Sequence, residues 1–138
     1  MKNMYYNLLL LLVLLCMVGC GGQIKVEGKV TFSDDGSPLS TGCVNFVTET
    51  FEARGFLQAD GTYKLSSVRK DDGVPPGKYR VYISEALERF REGEGDDALE
   101  ITVSLIDPKF SNYAESGLEF EVTSSQRKFD FKVDRPKK

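Results

Sequence analysis

Histidine and tryptophan are absent from the 138 residues, and only three cysteines occur. Without histidine, Ser-His and Cys-His nucleophilic pairs and every histidine-bearing zinc site are excluded. No apolar run reaches the ~20 residues that a spanning helix needs. The longest, Leu8 to Val18, has 11. A basic stripe is also missing: 18 Lys and Arg are dispersed against 21 Asp and Glu. Nucleic-acid binding draws much of its affinity from neutralised phosphates, so that class is set aside. What is present is ordinary globular composition, 41% hydrophobic and 28% charged, in a length that fits one domain.

The N-terminal segment is built like a secretory signal: Lys2, the apolar stretch Leu8 to Leu15, then small residues before a cut. Met17-Val18-Gly19-Cys20 resembles the bacterial lipobox, with Met17 in place of the usual Leu. Diacylglycerol transfer needs the thiolate of Cys20, and Gly19 is small enough for the peptidase, whereas Leu15 before Cys16 is not. The resemblance implies a signal peptide over 1–19, lipid on Cys20 and a tether over 20–23. Several acyl chains, each buried methylene contributing about 0.8 kcal/mol, would hold the protein stably at a membrane. Asp does not follow Cys20, and family sorting rules then favour the outer membrane over the inner. Cleavage leaves 17 basic against 21 acidic residues and one further thiol, Cys43, so no disulfide framework is expected within the chain. A lone cysteine of this kind reads as a small buried apolar side chain.

From Ile24 onward the signal is period two. Ile24, Val26, Gly28, Val30 and Phe32 share one face, and Lys25, Glu27, Lys29 and Thr31 the other. A second strand carries Val44 and Phe46 inward, and a third covers Glu52 to Gln58. Asp60-Gly61 predicts a hairpin into a fourth strand at Tyr63-Lys64-Leu65. Val74-Pro75-Pro76-Gly77 ends regular structure before a fifth strand with Tyr79, Val81 and Ile83 inward. Leu118, Phe120 and Val122, then Phe129, Phe131 and Val133, predict two more, joined as a hairpin by Ser124-Ser125-Gln126. Seven strands over 24–134, punctuated by Gly, Pro and Asp turns, predict an all-β, antiparallel two-sheet sandwich. Residues 85–100 read as an exposed insertion in which Ala86 to Arg91 suggests a helical turn or two. Ile101, Val103 and Leu105 suggest a short strand without an evident partner, and 135–138 reads as a frayed tail.

The ordered segments Val26-Glu27-Gly28-Lys29-Val30, Gly36-Ser37-Pro38-Leu39, Val44-Asn45-Phe46, Ala59-Asp60-Gly61-Thr62-Tyr63-Lys64-Leu65 and Pro75-Pro76-Gly77-Lys78-Tyr79-Arg80-Val81 resemble the carboxypeptidase regulatory-like, or transthyretin-like, β-sandwich domain. Ile106-Asp107-Pro108-Lys109-Phe110 and Ser116-Gly117-Leu118 resemble small bacterial lipoproteins that carry this domain alone. The resemblance covers Ile24 to Val133 and implies a non-catalytic accessory module without a cofactor. The purine-product hydrolases of the wider group depend on histidines, so their activity is excluded.

Candidate chemistry is sparse. The carboxylates at Asp34-Asp35, Asp71-Asp72 and Glu92 to Asp97 could gather Ca²⁺, which wants six to eight oxygens. Glu94, Asp96 and Asp97 are the best-placed trio, against the alternative of solvated acidic turns. Tyr82, Phe56 and Phe90 are candidate outward aromatics for a sugar ring or a protein, against packing in the core or rim. Sheet edges could accept a partner strand. The expectation is a non-enzymatic, lipid-anchored module of the cell envelope that binds or spaces surface components, partnered by a membrane and by a protein or glycan. A carbohydrate- or calcium-binding module of the same fold is the alternative.

Overall fold

The computed structural model describes residues 22–70 and 72–137. Alternation dictates the strands. In β1 (Glu27–Phe32), Gly28, Val30 and Phe32 are buried between exposed neighbours. β3 (Glu52–Phe56) and β5 (Gly77–Ser84) alternate in the same way. β2 (Cys43–Val47) lies between β3 and β5, and Cys43 to Phe46 are all buried.

With β4 (Thr62–Lys64), β8 (Leu118–Val122) and β9 (Phe131–Val133), these strands form two sheets, ordered β4-β1-β9 and β3-β2-β5-β8. This is the expected all-β sandwich with its seven strands. One pairing departs from antiparallel: β1 and β9 run parallel, Val30 opposite Phe131. Between the sheets, Phe46 is fully buried and its ring lies 5.9 Å from those of Tyr79, Phe120 and Phe129. Tyr63 reaches across the core, its hydroxyl donating to the Phe129 carbonyl at 2.8 Å. A Cβ on Gly28 would land on that same carbonyl oxygen, so β1 can pass there only as glycine.

Two expected hairpins are not simple hairpins. The Asp60-Gly61 turn forms, with the Asp60 carboxylate accepting from Thr62 N–H and hydroxyl, but β4 leaves β3 for β1 in the opposite sheet. β1 captures the turn directly, since Val30 N–H donates to the Gly61 carbonyl at 2.9 Å. β3 and the β4 segment then meet at one bridge, Arg54 with Ser66. Likewise 124–126 carries the chain from β8 across to the other sheet. That crossing brings Phe129 onto Phe120 through the core, ring centres 4.9 Å apart.

The insertion is not helical. Leu87–Glu92 forms β6 and Leu99–Ser104 forms β7, an antiparallel ribbon of six residue pairs from Leu87–Ser104 to Glu92–Leu99. Partnering across the ribbon supplies backbone hydrogen bonds that an exposed helical turn of this length could not sustain alone. The partner that the Ile101 segment lacked in sequence is therefore β6. The expected frayed tail is tied down at one residue: Arg135 lies over the Phe32 ring at 3.7 Å and pairs with Asp34 and Asp35 at 3.0 and 3.1 Å.

Candidate functional site

A concavity of about 1040 Å³ opens on the outer side of the four-stranded sheet and continues under the β2–β3 turn. Three segments build it. The turn 48–51 closes because Thr48 N–H donates to the Phe51 carbonyl at 2.8 Å while its hydroxyl accepts from Phe51 N–H at 3.0 Å. Phe51 is thereby laid edge-on against Tyr79. β5 alternation sends Lys78, Arg80 and Tyr82 outward as Tyr79 and Val81 go in. The connection after β7 contains the 3-10 turn Pro108–Ser111, anchored by buried Phe110, and it brings Tyr113 beside Tyr82, ring centres 6.3 Å apart.

Charge in this groove is mixed. Glu52 accepts from Arg54 at 3.2 Å and from the Tyr82 hydroxyl at 3.5 Å. Burial raises the Tyr82 phenol above its ordinary range, and the Glu52 carboxylate adds to the rise. Arg80 faces Glu119 at 3.9 Å. A wall of two tyrosines with paired carboxylates and guanidinium groups suits a polar ligand that has apolar faces. It offers hydrogen bonds of both kinds and stacking surface.

The other sequence candidates are scattered. Cys20 and Asp71 lie outside the described residues. Glu94, Asp96 and Asp97 sit at the ribbon tip, all exposed, the last two within the short 3-10 turn Gly95–Asp97. Among the described residues, no three Asp, Glu or Cys side chains converge as a metal-binding group. Asp34 and Asp35 are taken up by Arg135, and Asp72 accepts from the N–H groups of Ser67, Val68 and Arg69, which holds its carboxyl far below the usual range. Cys43 is buried, and burial pushes its thiol up, away from nucleophilic use. Of the three candidate aromatics, Tyr82 is half-buried in the groove, while Phe56 and Phe90 stand exposed at 66% and 46% on β3 and the ribbon. The three do not form one surface. Tyr113 and Phe51 were missed because each belongs to a turn, where no periodicity marks its direction.

Comparison with known proteins assigns the chain no family. No family model matches the chain, and no curated protein does. Among solved structures, the chain is similar to the major pilin subunit of Bacillus cereus, with 14% identity and a TM-score of 0.47. The match covers 84% of this chain and 30% of the pilin. A 9R-lipoxygenase from Cyanothece PCC8801 matches at 14% identity and a TM-score of 0.33, over 78% of this chain and 15% of the enzyme. The chain thus spans under a third of either protein.

Proposed function

We propose that this chain is a non-enzymatic module of the bacterial cell envelope, anchored by lipid on Cys20 and belonging with the carboxypeptidase regulatory-like lipoproteins its motifs resemble. One observation carries the reading: Met17-Val18-Gly19-Cys20 is followed after only Gly21, Gly22 and Gln23 by a domain whose first bridge, Ile24 to Val74, is already part of the sandwich. Three residues extend to about 10 Å, so a lipid-held Cys20 keeps the domain against the headgroups. Among the described residues the core cluster runs from Val26 to Val133.

The test is intact mass and detergent partitioning of the chain expressed in a bacterial host, wild type against Cys20→Ala. A Cys20-dependent gain of acyl mass with membrane partitioning is expected. An unmodified wild type recovered free outside the cell overturns the reading.

A second reading is supported by the groove: Tyr82 and Tyr113 above Glu52, Arg80 and Glu119 suit a glycan. On this reading Tyr113→Ala, at an exposed turn, abolishes retention on a glycan array without moving the melting temperature. A blank array with wild type removes it.

A further inference from the structure

The ribbon β6–β7 contributes no residue to the core cluster of the sandwich. Its register sorts its side chains by face, because opposed residues of an antiparallel pair share a side. Phe90 opposes Ile101, Val103 opposes Glu88, and Leu99 opposes Glu92. One face therefore carries an apolar strip along β7, Leu99, Ile101 and Val103 with Phe90 beside them, flanked on β6 by Glu88 and Glu92, while Leu87, Arg89, Arg91, Glu100, Thr102 and Ser104 occupy the other. Leu99 is 69% exposed and Val103 38%. Two strands with an uncovered apolar face are marginal in water, and a third strand is what ordinarily stabilises them.

Charge says what kind of third strand. Residues 85–100 hold seven carboxylates against Arg89 and Arg91, a net charge of -5. The rest of 20–138 holds fourteen carboxylates against fifteen cations, a net charge of +1. The acidity of the chain is thus concentrated on the ribbon, and among the described residues no cation pairs with Glu92, Glu94, Asp96 or Asp97. An anionic bilayer and a second ribbon are both repelled. Position agrees with that: β5 starts three residues after Val74, the bridge partner of Ile24, and runs eight residues before the ribbon begins, so the ribbon roots at the end away from the tether.

We propose that the ribbon is a docking element for a protein segment of alternating basic and apolar residues, which adds to the free edge of β7 as a third strand, its apolar side chains extending the strip of Leu99, Ile101 and Val103 and its basic ones lying beside Glu100. This rests on the envelope-module reading above and names its binding element and partner class. Backbone pairing would give the segment its register, the apolar strip would select alternate side chains, and the acidic tip would steer basic ones.

The test uses the full chain in zwitterionic nanodiscs and a capped peptide of about eight residues, an ordinary strand length, alternating Lys with Val. Fluorescence anisotropy is expected to show binding that salt weakens. Phe90→Ser with Leu99→Ser should weaken it about tenfold or more, as loss of anchoring side chains does. Methylation of the peptide backbone nitrogens should abolish it, and so should Glu in place of Lys. A second variant, Glu94→Gln with Asp96→Asn and Asp97→Asn, should lower affinity and flatten the salt dependence while leaving the apolar strip intact. The proposal is overturned by equal affinity of wild type and both variants, by undiminished binding of the methylated peptide, or by no binding. It is also overturned by ribbon-dependent binding to phosphatidylglycerol vesicles, or by a dimer in sedimentation that Phe90→Ser dissolves. Acyl mass on the same preparation reports the anchor separately, so loss of either reading is seen without the other.

Discussion

Gly28 illustrates how little room single residues have in this core. The Phe129 carbonyl and the Tyr63 hydroxyl occupy the space that any side chain would need. Gly28→Ala must push β9 from β1 and break the Tyr63 bond; an overpacking cost of about 3 kcal/mol is expected, read as a lowered urea midpoint. Asp35 makes a pH prediction. The Ser37 hydroxyl and N–H hold its carboxyl at about 2, with Arg135 adding to the effect. Its folded value is depressed, so its contribution is present above the ordinary carboxylate value of 3.8 and is lost as pH falls toward about 2. Carboxyl NMR titration should find Asp35 still ionised at pH 3, and Ser37→Ala should raise its midpoint. Cys43 should stay unreactive toward a thiol reagent at pH 8 until the protein unfolds, since it is buried and its thiolate is disfavoured. Rapid labelling of the native protein would contradict that.

At the scale of elements, the ribbon and the sandwich differ in what holds them. β6 and β7 contribute no residue to the core cluster, so native-state hydrogen exchange should show their amides opening far below the global free energy while β2 and β5 exchange last. Phe90→Ser should leave the melting temperature unchanged, surface changes of this kind costing within about 0.5 kcal/mol. Sequence made the sandwich strands legible because each is half-buried and alternates. Leu118 to Val122 shows it clearly, with exposed Glu119 and Glu121 between inward neighbours. The ribbon was half legible: Ile101 and Val103 alternate and mark β7, whereas Leu87–Glu92, exposed along its whole length, carries no alternation that burial would impose. Turn chemistry was read correctly at Asp60-Gly61, yet turns fix local direction and not the sheet a strand joins. That choice was made by core rings, Phe120 with Phe129 and Tyr63 with Phe131. The groove was half legible: Tyr82 lies on a strand and could be named, whereas Tyr113 depends on how Phe110 anchors its turn.

For the whole molecule, every residue of the core cluster lies outside 87–104. Replacing those residues with a short glycine linker from Ala86 to Leu105 should therefore leave a folded sandwich, checked by an unchanged near-ultraviolet spectrum and melting temperature. The two residues are already joined, Leu105 N–H donating to the Ala86 carbonyl at 2.9 Å. The parallel pairing of β1 with β9 bears on load. The first strand enters from the N-terminal side, the last exits at the opposite end beside it, and the two are hydrogen-bonded neighbours pointing the same way. Tension between the residues before β1 and those after β9 would slide these strands along each other, so their bonds must fail together. A pull across the ribbon root would instead open its pairs one after another. The sandwich is mechanically strong along the line joining its termini and weak across its ribbon.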